Sequence, residues 1–342
     1  MSGGKNVSPT NQAYPMQLQP HIAVVGSINM DLVFRTPRMP GVGETVSGHE
    51  FAQIAGGKGA NQAVAAARQE ASTTFIACVG DDAYGRQSLS NLQADGIVTD
   101  FISSVPQVAT GVAGIFVDDD GNNSIVIVPG ANAQLTPAHI DAAKEVICKA
   151  DLLICQCETP LSTVSAAIQL AREHGVQVVF NTAPAIPLPD ALLAKVNYLI
   201  VNEIEAAQLS GVDVDVTDTS SAYAASDNLM GRGAACVLVT LGEHGVCVST
   251  YSSRVSDVSV LESKQNNVQH HHLPATKVDV IDTTAAGDTF VGTFATAIAR
   301  GAALLDAINE AQLSAALAVT KLGAQSSIPH REEVRRLIAS LN

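Results

Sequence analysis

Basic residues are scarce in this chain: 19 Lys and Arg stand against 33 Asp and Glu, a formal net charge of −14. That balance excludes nucleic acid or an anionic membrane as partner, since both demand a basic face. Aromatic residues make up 4% of 342 and tryptophan is absent, while 46% are apolar. An aliphatic composition of this kind suits small helices on a branched-chain sheet more than a β-sandwich. No apolar run is long enough to cross a bilayer, and no secretory core is present, so a cytoplasmic protein is expected. Without a secretory signal, the glycosylation patterns at Asn6-Val7-Ser8 and Asn122-Asn123-Ser124 are chance matches.

The six cysteines lie mostly in apolar runs, which reads as buried thiols in a reducing compartment. Cys155 and Cys157 form C-x-C, but no second pair follows at zinc spacing. The dinucleotide fingerprint G-x-G-x-x-G does not follow the first strand, and the P-loop pattern G-x-x-x-x-G-K-[ST] is missing. There is no internal repeat.

What is present centres on Val278–Phe294, VDVIDTTAAGDTFVGTF. Val278, Val280 and Ile281 read as the end of a buried strand. Phe290, Phe294 and Ile298 then recur every four residues, as on a helix face. Between them lie the small residues Thr284-Ala285-Ala286-Gly287, ending in Asp288. Small side chains admit a ligand to the backbone, and a helix's first turn offers free N–H donors that suit phosphate. A carboxylate there is placed to take a proton from an attacking hydroxyl. The alternative is a strand-to-helix turn in which Asp288 merely caps the helix.

Residues 1–19 are polar and aperiodic and read as a disordered tail. His21–Gly26 is a first buried strand. Asn29 and Asp31 follow its carboxyl end, where open α/β sheets bind ligands, although taken alone they are better explained as ordinary turn residues. Residues about 31–54 and 109–128 read as short strands of a small separate sheet. The triple Asp118–Asp120 lacks the EF-hand spacing and reads as a solvated hairpin tip. Gly56-Gly57-Lys58-Gly59-Ala60-Asn61 opens an alanine-rich helix and allows close backbone approach, with a cation and an amide beside it. The alternative is helix–helix packing through glycine, which the Lys inside the run makes less attractive.

From Thr136 strands and helices alternate, as a parallel sheet with right-handed crossovers requires. Glu158, Asn181, Asn202, Glu205, Thr240, Gly242 and Asp282 each read as lying just past a strand. Parallel strands bring such ends to one edge, so a shared ligand cleft is expected there. Residues 262–276 read as a polar insertion, with His270, His271 and His272 in a solvated loop.

Three motifs in order, Gly56–Gln62, Asn202-x-x-Glu205 and Asp282–Phe290, give the chain from about residue 21 onward its resemblance to the PfkB carbohydrate kinase family. The resemblance implies an α/β fold: a three-layer α/β/α domain over residues 20–342, with a mostly parallel sheet and a small β-sheet lid from segments 31–54 and 109–128. It implies transfer of the ATP γ-phosphoryl group to a sugar. Within the family the chain is most similar to members that phosphorylate D-ribose at O5, with deoxyribose, fructose and adenosine as alternative acceptors.

Carried over by position, Asn29, Asp31, Gly57, Lys58, Asn61 and Glu158 would bind the sugar and Asp288 would be the base. The helix entrance from Ala285, where many members have Gly, through the N–H groups of Ala286, Gly287 and Asp288 would be the anion hole. Asn202 and Glu205 would organise Mg²⁺ and phosphates through water, with Glu205 as the Mg²⁺ partner. Thr240, Gly242 and Glu243 would contact the nucleotide. An activating K⁺ would sit at Asp282, Ser327 and the carbonyls of Thr284, Ala318 and Gly323. A homodimer through the lid is expected. A non-catalytic sensor on the same fold is the competing class, and the intact Asp288 argues against it.

Overall fold

The computed structural model describes residues 19–251 and 267–341. The polar tail through residue 18, and residues 262–266 of the expected insertion, lie outside them. In chain order, β1 (His21–Val25) is followed by β2 (Asn29–Thr36), β3 (Glu50–Gly56) and α1 (Lys58–Arg68). Next come β4 (Ser72–Gly80), α2 (Ala83–Ala94), β5 (Val98–Val105), β6 (Gly111–Asp118) and β7 (Asn123–Val128). The alternating part runs α3 (Pro137–Ala142), α4 (Lys144–Lys149), β8 (Leu152–Cys155), α5 (Leu161–Glu173), β9 (Gln177–Asn181), α6 (Asp190–Leu193), β10 (Tyr198–Asn202), α7 (Glu203–Ser210), α8 (Thr219–Gly231) and β11 (Cys236–Thr240). β12 (Val246–Tyr251), β13 (Val268–Leu273), α9 (Ala286–Ala299), α10 (Leu304–Ala318) and α11 (Arg331–Leu341) complete the described residues.

The large sheet has the order β13-β12-β11-β10-β9-β8-β1-β4-β5. From β11 to β5 every pairing is parallel; β12 pairs antiparallel with both of its neighbours. Its central strands are continuous apolar runs because both faces are covered. Ala23, Val25, Leu153, Leu199 and Val201 pack with Ile140, Ile147, Val164, Ile168 and Leu229 of α3, α4, α5 and α8. Ile22, Val24, Leu152, Ile154 and Ile200 pack on the other face with Val64, Leu92, Phe290, Phe294 and Ile308 of α1, α2, α9 and α10. Alternate residues of one strand thus feed two cores, which gives the helix–sheet–helix layering. Full burial of a side chain such as Phe294 contributes about 2–3 kcal/mol.

A second sheet of order β3-β2-β6-β7 rises from the same edge. Asn29 and Asp31 belong to its strand β2 and not to a turn after β1. Its aromatic side chains stack, Phe34 on Phe51 and on Phe116 at 5.0 and 5.2 Å between centroids. The tip at Asp118 is the expected hairpin, closed by the N–H groups of Asp120 and Asn122 on Asp118 Oδ1.

Three expectations are corrected. Val278–Ile281 is not a buried strand: Val280 and Ile281 are exposed, the N–H groups of Ile281 and Asp282 both donate to the Val319 carbonyl after α10, and the segment pairs with no strand among the described residues. Asp282 therefore follows no strand, and the row of strand-end residues loses one member. His270–His272 lie in β13 and not in a solvated loop. His270 Nδ1 is 2.8 Å from Ser249 Oγ, and its ring stacks on Tyr223. In addition, the helical stretch that follows Thr136 breaks at Ala143 into α3 and α4. All six cysteines are free, and five are buried.

Candidate active site

The parallel strands end on one edge, and the second sheet and two helix starts meet them there. α1 begins at Gly57, whose φ of 91° and whose closeness to the Asn29 N–H, 2.7 Å from an added β-carbon, leave room only for glycine. Gly59 is held as tightly against Ser27 and Gly26 at the end of β1. The glycine run therefore packs against the backbone just past β1, and not helix against helix. In doing so it delivers Lys58 and Asn61 to the strand ends.

Glu158, beyond β8, joins these pieces. Its Oε2 accepts from Ser27 Oγ at 2.5 Å and from the Lys58 N–H at 3.1 Å, so it sits on the positive end of α1. Asn29 is buried, and its Oδ1 accepts from Asn132 Nδ2 at 2.7 Å; Asn132 also holds both backbone groups of Ile28. Burial pushes the Asp31 carboxyl up to about 7, helped by the charges of Glu158 and Asp288 and opposed by Lys58. Burial also opposes the Lys58 ammonium, but Asp288, Glu158, Glu205 and Asp31 outweigh it and hold Lys58 above its ordinary value. One cation thus stands among four carboxylates drawn from β2, the loop after β8, α7 and α9.

Asp288 lies in the first turn of α9 and is buried. Its Oδ2 accepts from Asn61 Nδ2 and its Oδ1 from Gln62 Nε2, both at 2.9 Å. Capping is not its role, since it is bonded to side chains of another helix. The meeting depends on Gly292, one turn on. A β-carbon there would fall 2.5 Å from both Ala65 Cβ and the Gln62 carbonyl, so its absence lets α9 cross α1 closely.

The turn before α9 is strained: Ala285 has φ 60°, a left-handed conformation that favours glycine. The Ala286 N–H is taken by the Thr283 carbonyl at 3.2 Å, so the anion-hole expectation loses that donor. The N–H groups of Gly287 and Asp288 have no partner among the described residues, and an added β-carbon at Gly287 would meet nothing within 4 Å. Two free donors at an open helix start fit a phosphate oxygen. Asn61 Oδ1, buried and without a partner beside Asp288, fits a hydroxyl donor.

Asn202 and Glu205 form a reciprocal capping box on α7, with the Asn202 N–H on Glu205 Oε2 at 2.9 Å and the Glu205 N–H on Asn202 Oδ1 at 2.7 Å. Local capping explains that spacing. Burial, countered by the Asn202 N–H and by Lys58, nevertheless leaves the Glu205 carboxyl above its ordinary value. Thr240 ends β11, and Gly242 and Glu243 form the turn after it. Gly242 is left-handed with open space before it, and Glu243 is exposed.

For the monovalent-cation set, Asp282 Oδ1 accepts from Thr284 N and Oγ1, and Oδ2 from the Gly323 N–H at 2.8 Å. Burial opposes the Asp282 charge, but these bonds and Arg35 hold its carboxyl below the usual value. Ala318 and Ser327 are bonded within their own turns, the Ala318 carbonyl to Lys321 N–H and Ser327 Oγ to the Ala324 carbonyl. An all-oxygen set of this kind fits a hard cation. Ser27, Gln62, Asn132 and Gln156 were not among the expected site residues; Gln62 stands in the quoted motif, but its role is visible only in space.

The pfkB family carbohydrate kinase profile matches residues 19–331. Ribokinase of Haemophilus influenzae is 42% identical over 313 residues, 91% of this chain and 96% of that one. Deoxyribokinase of Salmonella typhi is 38% identical, covering 94% of this chain and 99% of its own. Among solved structures, Arabidopsis thaliana ribokinase complexed with ribose and ATP superposes with a TM-score of 0.84 at 31% identity, over 94% of this chain and 99% of that one.

Proposed function

This chain belongs to the pfkB family of carbohydrate kinases, and from that premise we propose that it transfers the γ-phosphoryl group of ATP to O5 of D-ribose, giving ribose 5-phosphate and ADP. The observation that carries the mechanism is Asp288, buried and held on both oxygens, one residue past the free N–H of Gly287. Asp288 accepts the O5 proton as O5 forms its bond to the γ-phosphorus and the bond to the β,γ-bridging oxygen breaks. The N–H groups of Gly287 and Asp288 hold the charge on the transferred group. Asp31 and Asn29 grip the sugar hydroxyls, with Gly57, Lys58, Asn61 and Glu158 around them.

Thr240, Gly242 and Glu243 face the nucleotide. Asn202 and Glu205 are the residues to hold Mg²⁺ through water, where it would neutralise phosphate charge. Asp282, with Thr284, Gly323, Ala318 and Ser327, is the set to hold K⁺, whose charge would order the 282–287 turn. The second sheet acts as a lid over the sugar. Its edge strand β7 exposes Ile125, Val126, Ile127 and Val128, an apolar edge that a second copy would cover. Measured mass in solution tests the homodimer: Val126→Lys should shift it to monomer.

A second reading, 2-deoxyribose as acceptor, has the Salmonella relative in its favour. A coupled assay across ribose, 2-deoxyribose, fructose and adenosine decides. Highest kcat/KM on ribose is expected; no turnover of ribose above background overturns the assignment.

A further inference from the structure

Behind Asp288 lies a chain of buried amides that the mechanism above leaves unused. Gln62 is fully buried and so out of reach of sugar or nucleotide. Both of its amide hydrogens are engaged, one on Asp288 Oδ1 at 2.9 Å and one on Asn181 Oδ1 at 3.0 Å. Its carbonyl oxygen accepts from Gln156 Nε2 at 2.7 Å, and Asn181 Nδ2 donates to the Ile200 carbonyl at 3.1 Å.

Every link has one direction. Turning the Gln62 amide over would set its oxygen against two acceptors and its nitrogen against a donor, so the neighbours dictate the orientation. The backbone of β10 orients Asn181, Asn181 and Gln156 orient Gln62, and Gln62 orients Asp288. Gly26 makes the space, since a β-carbon there would lie 2.1 Å from Gln156 Oε1. Gln156 Oε1 itself stays buried without a partner, a penalty the fold tolerates at this spot.

From this geometry we infer that Gln62 is a positioning residue for the phosphoryl transfer: it fixes the Asp288 carboxylate through an N–H donor. The inference rests on Asp288 being the base. Removing the donor frees the carboxylate to turn away from the attacking hydroxyl. The consequence is a lost rate without lost sugar affinity.

The test compares Gln62→Met, which keeps the volume, with Gln62→Glu, which keeps the donor only when protonated. Ribose phosphorylation is followed from about pH 5 to about pH 9, with ribose affinity by calorimetry. In Gln62→Met, kcat should fall about 10–100-fold, with ribose affinity kept within about threefold. Gln62→Glu should recover rate at acid pH relative to Gln62→Met and lose it as pH rises, and this variant carries the test if the Met variant does not fold. Wild-type kcat in both variants overturns the inference, as does loss of sugar affinity in place of rate. An inactive Asp288→Asn beside fully active Gln62 variants would reject the positioning role alone; an active Asp288→Asn would reject the base.

Discussion

A β-carbon added to Gly56 would lie 2.4 Å from Asp31 Oδ2, so the Asp31 carboxylate occupies the space that the missing side chain leaves. The last residue of β3 thereby allows an acid on β2 to stand at the rim of the cleft, close to other carboxylates. Its carboxyl rises from an ordinary 3.8 to about 7 through burial first, then Glu158 and Asp288.

The sign of the resulting pH dependence follows. A carboxyl with a raised folded value keeps its proton in the folded state after the unfolded chain has lost it, so stability falls as pH rises from about 4 to about 7 and then levels off. Asp31→Asn should raise the melting temperature relative to wild type by a margin that grows over that window and is constant above it. The same variant should lose ribose binding. An equal margin at pH 4 and pH 8 in thermal melts would count against the raised value.

Gly292 predicts a coupling between packing and rate. In Gly292→Ala the new methyl meets the Gln62 carbonyl and Ala65 Cβ at 2.5 Å, and α9 must shift from α1. Overpacking of this kind costs about 1–3 kcal/mol. Because Asp288 hangs from Asn61 and Gln62 on the other helix, kcat should fall as well. Denaturant unfolding and ribose turnover read the two effects, and a destabilised enzyme of unchanged kcat would show that the crossing does not set the base.

Much of this was legible in the sequence, for reasons that particular residues display. Buried strands such as HIAVV and LLIC are unmistakable, and polar residues just past them fall on one sheet edge whatever the details of packing. The glycine runs announced the two helix starts. Gln62 and Gln156 were not legible as site residues, because a buried amide chain joins residues far apart in sequence and carries no local pattern. Gly292 reads as one more small residue in an apolar helix until α1 is laid across it. The V-D-V-I alternation before Asp282 imitates a strand, yet the N–H groups of Ile281 and Asp282 both go to the Val319 carbonyl after α10. Three adjacent histidines have poor strand character, and only the ladder with Cys247, Val248 and Ser249 makes β13 of them.

Cation dependence should reside in Asp282, whose two oxygens tie Thr284 to Gly323. Replacing K⁺ by Na⁺ or a tetraalkylammonium ion should lower kcat severalfold while leaving ribose affinity little changed. In Asp282→Ala the rate should start low and no longer respond to K⁺. A variant that still responds fully would place the cation elsewhere.

Asp288→Asn is the decisive comparison, made by rapid mixing of enzyme, ribose and ATP together with calorimetric ribose binding. The asparagine keeps the shape but cannot take the O5 proton. Phosphorylation should fall by about 10²–10⁴-fold while ribose still binds. Retention of most of the wild-type rate would contradict the account, because O5 would then lose its proton without Asp288.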